Sequence, residues 1–251
     1  MDDGYEVSVD YLGELSNSTE DATRAAKQYV EISNFYKDVN IDMSIKPTQL
    51  GALVDGAYCE KLLFEIVSKA YENGHTVRLD MEDREVTSLT INHCLRIKQR
   101  HPNIGVAVQA NLRRTKADIT QLINHNVSMR LVKGAYRGDL VNATVSARFS
   151  SLAYHLKSRK ANSPAIATHD EKLISKINNK FYDYEFLYGV RRDLQKNLLN
   201  RGYRVRIYIP FGTEWLPYTL RRLKEWKNLK FVLINIFREW RACLAKKTRG
   251  D

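Results

Sequence analysis

The chain has little cysteine and no cysteine pattern. Cys59, Cys94 and Cys243 lie far apart and are odd in number, without a CxxC or a Cys/His metal spacing. That excludes a disulfide scaffold or a zinc module and leaves buried thiols in a reducing compartment as the simplest reading. Glycine-rich phosphate cradles are also missing: no GxGxxG follows the first strand-like run, and no P-loop occurs. Long apolar runs are absent too. "FVLINIF" at 231–237 is far too short to span a bilayer. The opening "MDDGYEVSVD" is acidic and has no apolar h-region, so no signal peptide is expected. There is no low-complexity segment and no sequence repeat.

Basic charge is abundant instead. The 251 residues carry 40 Lys and Arg against 29 Asp and Glu, a formal net charge of +11. Such a balance favours nucleic acid, an anionic membrane surface or acidic ligands without deciding among them. The charge is spread along the chain. Its one local concentration is the tail "REWRACLAKKTRGD", which reads as a solvated, frayed helix end. No obvious linker interrupts the sequence, which suits one large domain or two small ones.

Short β-rich runs alternate with helical ones. The strand candidates are 5–12, 41–47, 76–81, 104–110, 127–133, 164–169, 182–188 and 203–210, rich in Val, Ile and Tyr and bounded by Gly, Pro, Asn or Asp. Of the helical stretches between them, "TEDATRAAKQYVEISNFYK" opens with a Ser/Thr cap candidate and an acidic first turn. "AYCEKLLFEIVSKAYENG" ends in Asn-Gly, a helix stop. Eight strand–helix units over this length predict an α/β fold, the (βα)8 TIM barrel, in preference to a doubly wound open sheet, and so make residues 1–251 a single domain.

A TIM barrel carries its site at the C-terminal ends of its strands. Lys46 ends the second strand candidate, Asp80 the third and Gln109 the fourth. Arg130 and Lys133 lie in and at the end of the fifth, Thr168 and His169 end the sixth, and Tyr208 the eighth. In "VSMRLVKGAY" Arg130 and Val132 share one strand face. An inward Arg130 enters a partly dry space and needs a partner or an anionic ligand; Asp80 is the natural candidate. Lys133 has the opposite parity unless the strand stops before it. The following Gly134 favours that stop and permits close backbone approach to a ligand.

In "WLPYTLRRLKE" at 215–225, Tyr218, Arg221, Arg222 and Glu225 fall on one helical face, opposite Leu216, Leu220 and Leu223. Two readings stand. The arginines face water, or the eighth helix lies over the barrel mouth and they grip a carboxylate or phosphate.

The chain resembles proline dehydrogenase, a flavin-dependent (βα)8 family that includes the proline-oxidising domain of the bifunctional bacterial enzyme. The likeness rests on "YLGE", "SIKPTQLG", "RLDMED", "GVAVQANLRRT", "RLVKGAY", "AIATHD", "EFLYGVR" and "RVRIYIPFGTEWLPYTLRRLKE", in the family's order. It implies FAD-dependent oxidation of L-proline to Δ1-pyrroline-5-carboxylate. By resemblance, Lys46, Arg221 and Arg222 hold the proline carboxylate, and Leu187, Tyr208 and Tyr218 pack against the ring. Arg130 lies near the flavin's reactive nitrogen and Asp80 supports the site. Met81, Gln109, Lys133, Gly134, Ala135, Thr168 and His169 match FAD contacts. Glu14 matches a glutamate that pairs with the first arginine, and Glu225 is placed to orient one of the pair. No metal is implied. The acceptor implied is a quinone or another electron acceptor, in the cytoplasm; a quinone adds peripheral contact with the inner face of the cell membrane.

The sequence departs from the family at Asn111, where an aromatic residue is common, and at Glu185, where Gln is common. Arg137, Gly138 and Asp139 are an unusual continuation of "KGAY", and the chain starts almost at its first strand. Two rivals compete with the enzyme reading. A nucleic-acid-binding barrel needs none of Asp80, the arginine pair or "RLVKGAY" in this arrangement. A Schiff-base enzyme using Lys133 or Lys46 needs a lysine of lowered pKa, and neither has an evident means to one.

Overall fold

The computed structural model describes residues 4–13, 15–140 and 142–212. Eight parallel strands close into a barrel in chain order: β1 (Glu6–Tyr11), β2 (Asp42–Ile45), β3 (Thr76–Leu79), β4 (Ile104–Gln109), β5 (Ser128–Val132), β6 (Ala165–Ala167), β7 (Asp183–Leu187) and β8 (Arg204–Phe211). β1 closes the ring on β8, with Tyr11 beside Phe211 at the last rung. The connecting helices are α1 (Thr19–Phe35), α2 (Gly56–Glu72), α3 (Thr87–Lys98), α4 (Thr115–Asn124), α5 (Asn142–Ser158), α6 (Glu171–Ile177) and α7 (Arg192–Asn200). The predicted barrel and all eight strands are present. The eighth helix expected over the mouth lies outside the described residues, as do Cys243 and the basic tail.

The helices start where the sequence supplies caps. The Ser18 hydroxyl accepts from the Asp21 amide at 3.1 Å, and Asp55 accepts from Ala57 and Tyr58 at 3.0 and 2.9 Å. Each satisfies amides that a helix N-terminus leaves unpaired. α2 stops at Asn73 as expected, with Gly74 in the left-handed region at φ 75°.

The period-2 alternation of a strand divides each one between two environments. Met43 and Ile45, Val106 and Val108, Met129 and Leu131, Tyr184 and Phe186 face outward and are buried beneath the helices. The apolar core is therefore the shell between sheet and helices. The opposite faces bring Ser8, Asp42, Ser44, Arg78, Arg130 and Glu185 into the lumen, where they are bonded to one another across the barrel. Barrel interiors are more often filled by branched apolar side chains; this one holds charge.

Candidate active site

The β2–α2 connection fixes Lys46. Pro47 opens a 3-10 turn, Pro47–Leu50, and the Gln49 amide donates back to the Lys46 carbonyl at 3.0 Å. Buried Glu82 braces the turn, accepting from the Thr48 amide at 3.1 Å and from its hydroxyl. Lys46 thus projects over the barrel, where its ammonium donates to Asp10 at 2.6 Å and stands 3.8 Å from Asp80. Burial opposes the ammonium's charge, but Asp10 and Asp80 outweigh it and raise its pKa. Asp10 is pushed up by burial, with Lys46 pulling against the shift.

Asp80 lies one residue past β3 and extends the ladder, its amide donating to the Ile45 carbonyl at 2.8 Å. Its carboxylate takes a hydrogen bond from Arg130 at 2.7 Å and another from the Tyr208 hydroxyl at 2.7 Å. The expected Arg130–Asp80 pairing is present, but Asp80 is one partner among several. Arg130 also donates to Glu185, to Ser44 at 3.0 Å, to Ser8 at 3.1 Å and to Asp42 at 3.3 Å. Its guanidinium lies 5.1 Å from the Tyr208 ring centroid. Burial works against the charge of Arg130, yet Glu185, Asp80 and Asp42 lift its pKa. Despite full burial, Asp42 is held far below the ordinary carboxylate range by Arg78, Arg206 and Arg130. Tyr208 is driven well up by burial and by the carboxylates of Asp10 and Asp80. Tyr208 sits within β8 rather than at its end, because the β1–β8 ladder continues to Phe211.

β5 ends at Val132, as its Lys-Gly sequence required. Lys133 then leaves the lumen and pairs with Asp170 at 2.8 Å. Gly134 has φ +114°, and a Cβ there would collide with the Asn111 side chain. Asn111 latches the following loop, donating from Nδ2 to the Tyr136 carbonyl at 2.9 Å and accepting at its own carbonyl from Asp139 and Leu140. Asp170 caps α6, and its amide donates to Thr168 Oγ1 at 3.2 Å. His169 Nε2 accepts from the Leu187 amide at 3.1 Å, which places the ring proton on Nδ1. Burial and the nearby Arg191 lower the His169 pKa to about 4.

A cavity of about 250 Å³ opens at this end of the barrel. Of the expected site residues, Lys46, Asp80, Met81, Gln109 and Arg130 line it, as do Ala135, Thr168, His169, Leu187 and Tyr208. Lys133 and Gly134 lie beside it. Glu14, Tyr218, Arg221, Arg222 and Glu225 lie outside the described residues. Asp10 and Glu185 also line it; Asp10 was not singled out from sequence, and Glu185 only as a departure from the family, without a role. Gln109 donates from Nε2 to the Glu82 carbonyl at 2.7 Å, while its buried Oε1 has no hydrogen-bond partner among the described residues. A buried amide oxygen without a donor is costly, and Gln109 lines the cavity. Among the described residues no group of three His, Cys, Asp or Glu could hold a metal, and no helix is long and apolar enough to cross a membrane.

Known proteins share both sequence and architecture with this chain. Proline dehydrogenase 1 of Bacillus subtilis (strain 168) is 31% identical over 249 residues, covering 93% of this chain and 82% of the relative. Proline dehydrogenase of Deinococcus radiodurans is 31% identical over 254 residues, covering 92% and 81%. A crystal structure of proline utilization A from Bdellovibrio bacteriovorus, inactivated by N-propargylglycine, superposes with a TM-score of 0.81 at 22% identity over 89% of this chain. That likeness concerns the fold, and the chain spans only 30% of that larger protein. The family model described as proline dehydrogenase matches residues 1–232. A barrel whose mouth gathers Lys46, Asp80, Arg130 and Tyr208 is thus matched over nearly its whole length, and the chain belongs to the proline dehydrogenase family of enzymes.

Proposed function

We propose that residues 1–251 form one FAD-dependent enzyme unit that oxidises L-proline to Δ1-pyrroline-5-carboxylate in the cavity at the barrel mouth. The observation that carries this reading is the convergence of Lys46, Asp80, Arg130 and Tyr208 on one cavity in a chain of this family. The residues fit a flavin. Gln109 offers an unsatisfied amide oxygen, and Thr168, His169 and Ala135 supply polar and apolar wall. Arg130 offers a fixed cation at the cavity floor. Gly134 allows close backbone approach beside it. Bound FAD would supply the two-electron acceptor chemistry; the protein supplies orientation and electrostatics.

Lys46, in the cavity wall, meets the substrate carboxylate in this reading. Arg221 and Arg222, through the family resemblance of their motif, complete that grip, with Glu14 and Glu225 as their partners. A carboxylate held by several cations presents the ring in one pose. Leu187, Tyr208 and Tyr218 flank the ring in this reading. Asp80 holds Arg130 and the Tyr208 hydroxyl in register, so it acts on the site's geometry. The amine proton goes to solvent. Asp10 is engaged by Lys46, Asp80 by Arg130 and Tyr208, and Glu185 by arginines, while His169 Nε2 already accepts from Leu187. The electron acceptor is a quinone or another diffusible oxidant, and a quinone would bring peripheral membrane contact. A flavin spectrum of the purified protein with a dye-linked L-proline assay tests the reading. A colourless protein after refolding with FAD, together with no dye reduction, rejects it.

A further inference from the structure

A guanidinium has five N–H donors, and in Arg130 every one has a protein acceptor. Nε donates to Glu185, one terminal nitrogen to Asp80 and Ser44, and the other to Ser8 and Asp42. Three of those five acceptors are carboxylates, so the cation at the cavity floor is heavily compensated. The compensation extends below it. Asp10, Asp42, Asp80 and Glu185 interlock with Lys46, Arg78, Arg130 and Arg206, each within 4.0 Å of an opposite charge in the set. Formally this set of eight is neutral. Arg206 also reaches Glu6 and Asp183 at the far end, where Arg204 and Glu6 are open to solvent and screened.

Glu185 has a particular place in the set. It is 2% exposed, yet it lines the cavity. One oxygen accepts from Arg130 Nε, and the other accepts from Arg78 Nη1 at 3.1 Å and from Arg206 at 3.5 Å. Arg78 and Arg206 do not line the cavity. Glu185 therefore joins the floor to a second tier of cations and carries the negative charge that offsets them.

We propose that Glu185 is a positioning residue that acts through Arg130 to keep the cavity floor near neutral, and so holds down the reduction potential of the flavin bound there. The proposal rests on the cofactor reading above. Two-electron reduction with uptake of one proton leaves a flavin with one negative charge. A neutral floor favours that charge little; a floor one unit more positive favours it more, because enclosed charges interact with little screening. Glu185→Gln keeps shape and an acceptor oxygen but removes the charge. Arg78→Gln changes the balance in the opposite sense from outside the cavity.

The experiment is a dye-equilibrated spectroelectrochemical titration of the FAD-loaded enzyme in four forms: wild type, E185Q, R78Q and the double variant. The expected midpoint moves positive in E185Q and negative in R78Q, and returns toward wild type when both are changed. A merely structural role for Glu185 would not give opposite signs and cancellation. An unshifted E185Q, or single variants shifting in the same direction, overturns the proposal. If E185Q fails to fold, R78Q and the double variant carry the test, and an unshifted R78Q overturns it. Failure of both single variants to fold or to retain flavin assigns the pair to the scaffold and also overturns it. A wild type that binds no flavin defeats the cofactor reading itself, and that result is read before any variant is made.

Discussion

The Lys46 ammonium and the Asp10 carboxylate meet at 2.6 Å at the barrel mouth, with side-chain exposures of 11% and 2%. The pair is nearly dry, so removing one partner strands the other. Lys46→Met is expected to destabilise the fold by about 3–5 kcal/mol through an unpaired Asp10, apart from any effect on substrate. Adding Asp10→Asn should recover most of that stability, while the KM for L-proline stays raised roughly tenfold or more, the factor given by about 1.4 kcal/mol of lost binding. Chemical denaturation read beside steady-state kinetics separates the two effects. A stable double variant with wild-type KM would remove Lys46 from the substrate site.

Arg130 makes the complementary case. Arg130→Met leaves Asp42, Asp80 and Glu185 facing one another in a closed space. A loss of about 3–5 kcal/mol is expected, with turnover falling as well. Arg130→Lys keeps the charge but cannot serve five acceptors arranged around a planar fork. Its stability should fall between the two, and its turnover should stay low. Urea midpoints and kcat for the three proteins check this. Wild-type turnover in either variant contradicts the role given to Arg130.

The barrel was legible because each strand alternates and each is bounded by turn residues. In "VSMRLVK" parity put Arg130 and Val132 on one face, and the need of an inward Arg130 for an acid led to Asp80. What stayed hidden was the rest of the acid. Glu185 is 55 residues from Arg130, and no helical or strand spacing links such positions; only barrel closure does. A local signal was nevertheless present. In "YDYEFLY", Asp183 and Glu185 alternate with Tyr184 and Phe186 in a strand flanked by helical sequence. In an α/β barrel the aromatics must face the helices, which turns both carboxylates into the lumen. The same parity applies to Ser8 and Asp10, to Asp42 and Ser44, and to Arg206 and Tyr208. Lys133 carries a contact that its sequence did not announce: its ammonium pairs with Asp170 at the start of α6.

The arginine pair at 221 and 222 lies outside the described residues, so its role is tested directly. Arg221→Met and Arg222→Met are each expected to raise the KM for L-proline at least tenfold while the flavin spectrum is retained. An unchanged KM returns both side chains to the solvated face that their spacing equally allows.

Gly134 answers a different question, whether the loop after β5 requires glycine. Its φ of +114° is outside what other residues readily adopt, and an added Cβ would collide with the Asn111 side chain. Gly134→Ala is expected to cost about 1–3 kcal/mol and to lower flavin occupancy. Asn111→Ala removes the collision but leaves the backbone strain. The double variant should therefore remain less stable than Asn111→Ala alone. Equal unfolding midpoints for those two proteins would show that the glycine serves only to clear space.

His169 gives the site a pH dependence of known sign. Burial and Arg191 hold its folded pKa at about 4, against an ordinary value of 6.5. Above pH 6.5 the ring is neutral in both folded and unfolded chains, and its contribution is fully present. Between pH 6.5 and about 4 the unfolded chain takes up a proton that the folded chain refuses, so stability falls as pH falls. Below about pH 4 both states are protonated and the loss levels off. The full loss is at most about 3.5 kcal/mol, because each tenfold difference in proton affinity between the two chains is worth about 1.4 kcal/mol. Other groups titrate in the same range, so the informative quantity is the difference between wild type and His169→Gln. That difference, from urea unfolding at steps between pH 7 and pH 4, should shrink in the wild type's disfavour as pH falls. A difference that stays flat across the window would mean that His169 takes up its proton as readily in the folded chain as in the unfolded one, so that Nε2 is not held as the acceptor for Leu187.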